Sequence, residues 1–139
     1  MDFVGRYDSK VKHADSEDMF NKLKDFDITN KKVALYGTGL GSGIVLEALD
    51  DCEVLCFIDR DESPMLGQQF LGLNVYKLDD VYEKLDVIII VTRVNHNEVY
   101  DRITKYAQHK EKKIELIDIY GHNTEKEKAE YCSYIEQCT

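Results

Sequence analysis

Residues 37–43, Gly37-Thr38-Gly39-Leu40-Gly41-Ser42-Gly43, put a glycine at every second position of the run. Glycines in such a run let the backbone turn tightly and approach an anion, and a helix that starts there points its free N–H groups at the same place. In the spacing G-x-G-x-x-G the first glycine makes the turn, the second admits a pyrophosphate and the third lets helix and strand pack closely. Gly37 and Gly39 fill the first two places, and the third falls on Ser42, a small residue flanked by Gly41 and Gly43. Asp59 stands 20 residues beyond Gly39, at the end of the next apolar run and just before Arg60. An acid so placed can accept hydrogen bonds from ribose hydroxyls. The same residues also allow a plainer reading, in which the glycines only shape a turn and Asp59 only caps a loop.

A second stretch with chemical potential is Thr92-Arg93-Val94-Asn95-His96, directly after an aliphatic run. Arg93 suits a phosphate or carboxylate and His96 a sugar hydroxyl; equally, Arg93 reads as a solvated or interface charge and Asn95 as a helix cap. His13, His109 and His122 read as surface residues, and Asp79-Asp80 as the acidic start of a helix. Tyr7 with Lys12 and Tyr100 with Lys105 are wrongly spaced for the Tyr-x-x-x-Lys pair of the reductase type. No catalytic constellation and no metal-binding spacing stands out. The four cysteines, Cys52, Cys56, Cys132 and Cys138, lack zinc-site spacing and read as reduced structural thiols.

The elements that must hold these residues follow from periodicity. Val33-Ala34-Leu35-Tyr36 is a buried strand leading into the glycines, and residues 44–49 are a helix leading out of them. Residues 53–59 form a second strand ending on Asp59, residues 60–69 a loop with the sole proline, Pro64, and residues 74–76 a third strand. Leu78, Val81 and Leu85 mark a short helix. Val87-Ile88-Ile89-Ile90-Val91 is a strand apolar on both faces, as in a covered parallel sheet. A capping box, Asn95-x-x-Glu98, opens a helix with Val99, Ile103 and Tyr106 on one face. Residues 114–119 are a fifth strand. Helices are also expected over residues 15–26 (Met19, Leu23, Phe26) and after a second capping box, Thr124-x-x-Glu127, with Tyr131, Ile135 and Cys138 on one face.

Strands alternating with helices imply parallel strands joined by right-handed crossovers. The expected fold is α/β, a Rossmann-like three-layer sandwich with a five-stranded parallel sheet in the order 3-2-1-4-5. Residues 1–30 are read as a lead-in and helix, 31–121 as the nucleotide-binding core and 122–139 as a C-terminal helix. The bulk properties agree with one domain: 139 residues, 43% hydrophobic and 32% charged. The formal net charge of −9 argues against a nucleic-acid partner. The longest purely aliphatic stretch falls far short of the roughly 20 residues of a spanning helix, so no membrane insertion is expected. The polar N-terminus does not read as a signal peptide, and the expected location is the cytoplasm.

The strand-and-turn segment 33–39, Phe57-Ile58-Asp59-Arg60-Asp61, Gly67, Gly72-Leu73-Asn74-Val75-Tyr76, Leu78-Asp79-Asp80-Val81 and the strand 86–92 together carry a resemblance. The chain resembles, over about residues 31–121, the small Rossmann domains of bacterial polysaccharide-biosynthesis proteins, both nucleotide-sugar epimerase/dehydratase-like proteins and the N-terminal domain of sugar acetyltransferases. The NAD-sensing domain of redox-responsive repressors has a related pattern. The resemblance implies a nucleotide, nucleotide-sugar or NAD(H) ligand over Gly37, Thr38, Gly39 and Asp59, in a domain accessory to surface-polysaccharide synthesis. The site expected is Gly37, Thr38, Gly39, Leu40, Gly41, Ser42, Asp59, Arg60, Thr92 and Arg93. The chain departs from the pattern at Ser42, lacks the acetyltransferases' Gly-Gly-His turn, and carries no hexapeptide repeat, DNA-binding domain or dehydratase domain. It reads as a domain of, or encoded beside, a larger protein. Expected partners are a nucleotide-type small molecule and either a second copy of the chain or a larger biosynthetic enzyme. Two other readings stay open. One is a small NAD- or S-adenosylmethionine-dependent enzyme fragment, although Leu35 stands where methyltransferases usually carry an acid. The other is a Rossmann scaffold used only for protein contact, favoured if the glycine turn lies collapsed against Asp59.

Overall fold

The computed structural model describes residues 23, 24, 26–39 and 41–121. Leu40, most of the helix expected over 15–26, the second capping box, the C-terminal helix, Cys132, Cys138, His13 and His122 lie outside the described residues.

Hydrophobic continuity decides the middle of the sheet. In β1 (Lys32–Tyr36) every residue after Lys32 is buried, and β5 (Val87–Ile90) is buried throughout. Such strands have apolar groups on both faces and are stable only with cover on both sides. They lie side by side, parallel, with β2 (Glu53–Ile58) on the other flank of β1 and β6 (Glu115–Asp118) beyond β5. Alternate side chains form two cores. Val33, Leu35, Phe57, Val87, Ile89 and Ile117 pack with Val45 of α1 (Gly41–Ala48). Ala34, Tyr36, Ile58, Ile88 and Ile90 pack with α2 (Leu78–Val81), the 3-10 turn Tyr82–Lys84 and α3 (His96–Gln108). As the spacing predicts, α3 buries Val99 and Ile103, and Tyr106 sits edge-on to Tyr82 with ring centroids 5.2 Å apart.

The sheet corrects the sequence reading in strand count and order. It has six strands, β3-β4-β2-β1-β5-β6, where five were expected. The additional strand is β3 (Gln69–Phe70), which begins at the last residue of the segment read as a loop, and it runs antiparallel to β4 (Leu73–Tyr76). The sheet is therefore mixed at this edge; the five parallel strands keep the expected relative order. Leu71 (φ 50) and Gly72 (φ 84) form the two-residue turn between β3 and β4. Left-handed backbone at both positions matches the twist of a hairpin. Phe70 then reaches Phe57 edge-on, at 5.0 Å between ring centroids, which anchors the hairpin to the core.

The glycine turn and Asp59 are brought level by an irregularity. The register of β1 against β2 shifts between Val33 and Ala34, so that Tyr36 pairs with Ile58. Without the shift Asp59 would sit one residue out of step with the turn. Gly37 N–H donates to the Ile58 carbonyl at 2.9 Å, and Asp59 N–H to that of Tyr76 at 3.0 Å.

Cys56 is buried in β2 and Cys52 half-buried just before it, both as free thiols. Burial pushes the Cys56 thiol up to about 11 and raises Cys52 as well, aided there by Asp51 and Asp50. Both stay protonated and unreactive near neutral pH.

Candidate functional site

The C-terminal ends of β1, β2 and β5 open on a cavity of about 390 Å³, within the usual range of small-molecule sites. Gly37, Thr38 and Gly39 form one wall, Asp59, Arg60 and Ser63 another, and Thr92 and Asn95 a third. Val99 and Arg102 of α3 complete the lining together with Val94 and Tyr36.

The two glycines of the turn differ in why they are glycines. Gly37 has φ +121, and a Cβ there would stand 3.1 Å from both the backbone N and the Cβ of Thr92. The fold itself requires glycine at that position. Gly39 has no left-handed backbone, and among the described residues nothing lies within 4 Å of where its Cβ would be. The space beside it is open.

Ser42 is fully buried in the first turn of α1. Its hydroxyl donates to the Gly37 carbonyl at 3.0 Å, and its N–H to the Gly39 carbonyl at 3.2 Å. The side chain that replaces a third glycine thus holds the turn from behind.

Asp59 is half-buried and well bonded. Its Oδ1 accepts the Arg60 N–H at 2.9 Å, and its Oδ2 accepts the Ser63 hydroxyl at 2.8 Å and the Thr38 hydroxyl at 3.3 Å. The Ser63 oxygen in turn accepts the Met65 N–H at 3.1 Å, which fixes it on Asp59. Two arginines also line the cavity. Arg60 lies 3.7 Å from Glu62 on an exposed surface. Arg102 lies 3.9 Å from Glu98, one helical turn back, and donates to the Tyr36 hydroxyl. Burial raises the Tyr36 phenol above its ordinary value, with the Arg102 hydrogen bond opposing.

Of the residues expected in the site, Gly37, Thr38, Gly39, Asp59, Arg60 and Thr92 line the cavity, whereas Ser42 stands behind the turn and Gly41 begins α1. Arg93 does not line the cavity; its guanidinium lies over the Tyr120 ring, 5.9 Å from the centroid. The sequence reading missed Tyr36, Ser63, Val99 and Arg102. Ser63, four residues after an acid and in a turn, carried a local signal; Arg102 showed only through its spacing from Val99 on one helix face.

Asn95 corrects the capping-box expectation. It occupies the N-cap of α3 but makes no side-chain cap bond; its Oδ1 accepts the Thr92 hydroxyl at 2.8 Å. The helix is started by the Asn95 carbonyl, which accepts the Val99 N–H at 3.0 Å. The Asn95 side chain thus braces the loop instead.

Beyond Asn95, at the ends of β5 and β6, lies a second group. His96 Nδ1 is 2.8 Å from Asp118 Oδ2, and Asp118 is 2% exposed. The Asp118 Oδ1 accepts the Tyr120 N–H at 3.0 Å. The Tyr120 ring stands 6.0 Å from that of His96. Gly121 is packed so tightly on the Asp118 carboxylate that a Cβ would overlap it. Among the described residues, no cluster of His, Cys, Asp and Glu is arranged to hold a metal ion, and no helix is long and apolar enough to cross a membrane.

Parallel strands ordered about β1, a glycine turn after that strand and an acid after its neighbour define a Rossmann-like α/β domain. Over residues 29–115, more than half its length, the chain matches the family described as C2185-like, N-terminal, and it belongs to that family. No curated protein matches it. Among solved structures it is similar to UDP-D-quinovosamine 4-dehydrogenase from Vibrio fischeri, with 18% identity over 65% of this chain and 78% of that one, at a TM-score of 0.49.

Proposed function

We propose that the chain binds a nucleotide-type ligand, a nucleotide-sugar or NAD(H), in the cavity at the ends of β1, β2 and β5. The diphosphate lies over Gly37, Thr38 and Gly39, and the ribose hydroxyls meet Asp59. The observation that carries this reading is the open space beside Gly39. The packing of the described residues gives no reason for a glycine there, and close approach of a ligand to the backbone supplies one. Asp59 supports it too. A carboxylate offers about four acceptor positions. Asp59 uses three, and the longest of its bonds, from Thr38, is the one a ribose hydroxyl displaces. Arg60 and Arg102 add positive charge at the rim. The resemblance described above makes an accessory role in cytoplasmic surface-polysaccharide synthesis the biological setting we favour, with the chain working beside or within a larger enzyme.

One observation favours the scaffold reading instead: the Thr38 hydroxyl is bonded to Asp59, so turn and acid are linked without a ligand. The cavity left between them weighs against full collapse. A thermal-shift screen against NAD, NADH, UDP-, GDP- and CDP-sugars and S-adenosylmethionine separates the two. At 100 times its Kd a ligand adds about 2.7 kcal/mol of stability. The Asp59→Ala variant should weaken the responding ligand by about 1.5–3 kcal/mol, the scale of a hydrogen bond to a charged group. No response to any of these compounds would leave the scaffold reading standing.

A further inference from the structure

We propose that the ends of β5 and β6 carry a second subsite, in which His96, aimed by Asp118, holds a hydroxyl-rich group attached to the far phosphate of a nucleoside diphosphate. The subsite rests on the nucleotide reading, because the diphosphate over residues 37–39 is what delivers that group.

The sheet order sets the geometry. The ends of neighbouring strands present Asp59 after β2, Gly37 after β1, Thr92 after β5 and Asp118 at the end of β6. Neighbouring strands lie about 4.8 Å apart, so the glycine turn and the Asp118 end are separated by roughly 10 Å. A phosphate and the sugar it carries span about that distance. A ligand with its ribose at Asp59 and its phosphates at Gly37 therefore sends its remaining substituent across the loop of residues 92–95. That loop lines the cavity through Thr92, Val94 and Asn95, and His96 comes directly after it.

The pair is built to present one atom. A carboxylate only accepts, so His96 Nδ1 is the donor to Asp118 Oδ2. In the neutral ring this leaves Nε2 as an acceptor, and among the described residues no hydrogen-bond partner meets it. The His96 side chain remains 19% exposed while that of Asp118 is 3% exposed. The buried acid is held by the Tyr120 N–H and by the close packing of Gly121. Burying a carboxylate is costly unless it is paired. Here its pairing fixes the tautomer and direction of a ring whose other nitrogen an incoming hydroxyl can reach. Asp118 is thus a positioning residue and His96 the contact.

The test uses titration calorimetry on the full chain with two pairs of probes, UDP against UDP-glucose and ADP against ADP-ribose. In the unmodified chain the member bearing the distal sugar should bind more tightly within at least one pair, by roughly three- to tenfold for one hydrogen bond. His96→Ala should abolish that difference and leave the affinity for the bare diphosphate within about twofold, which also shows that the variant is folded. Asp118→Asn should reduce the difference while the bare diphosphate again binds as before. A difference that survives in His96→Ala overturns the proposal, as does one absent from the unmodified chain when the diphosphate binds. A fall in diphosphate affinity as large as that for the sugar-bearing probe overturns it too, by giving His96 a general role. Failure of all four probes to bind sinks the nucleotide reading and the subsite with it.

Discussion

The two halves of the sheet's C-terminal rim are made of different material. At the ends of β1 and β2 the working surface is mostly backbone: Gly37 in left-handed geometry, Gly39 beside open space, and an acid bonded by near neighbours in sequence. At the ends of β5 and β6 it is side chain, His96 on Asp118 and Arg93 over Tyr120. In the first half the turn and the bonds of Asp59 to Arg60 and Ser63 are local, and the register of β1 against β2 sets turn and acid level. The second depends on two strands pairing, since His96 and Asp118 are 22 residues apart and meet only when β6 adds to β5. Backbone suits a ligand part that every nucleotide shares; side chains suit the part that distinguishes one ligand from another.

Three substitutions press on that contrast. Gly37→Ala should have the largest effect, a loss of about 3 kcal/mol, because it combines an unfavourable φ with a contact at 3.1 Å. Urea denaturation measures it, and a loss below about 1 kcal/mol would mean that the Thr92 loop yields and that the backbone half is not rigid. Gly39→Ala should leave stability within about 0.5 kcal/mol and yet weaken the response to a diphosphate ligand. If it destabilises the chain as Gly37→Ala does, the open space beside Gly39 is not real. The smallest effect concerns Tyr36, which joins the halves by accepting from Arg102 of α3. Burial raises its phenol, so its contribution to stability is intact below its unfolded value near 10 and is lost as pH rises through the folded value. Tyr36→Phe should make the alkaline decline shallower. Some slope should persist, because the Cys56 thiol, at about 11, titrates in the same direction.

Legibility in the sequence followed the same division. The aliphatic runs of β1 and β5, the glycine turn and Asp59 were readable because each is a local pattern with a period or a spacing. The edge strand β3 was not, because its turn puts Leu71 at φ 50, where hairpin sequences usually announce themselves with Asn, Asp or Gly. Asn95 had the spacing of a capping box, but its side chain found a better partner in Thr92. Arg102 and Tyr36 meet only through the packing of α3 on the sheet, and Asp118 read as one more residue of a strand with indistinct faces.

The near-contact between Gly37 and Thr92 joins two loops from different strands into one mechanical unit. Changes at the two positions will not add, since neighbours in contact share their energy. Over a lineage, a larger side chain at position 92 has to be answered by a shift of the turn at Gly37. The glycine turn and the loop of residues 92–95 therefore inherit their shapes jointly, and exchanging either loop between related chains should succeed only when the other travels with it.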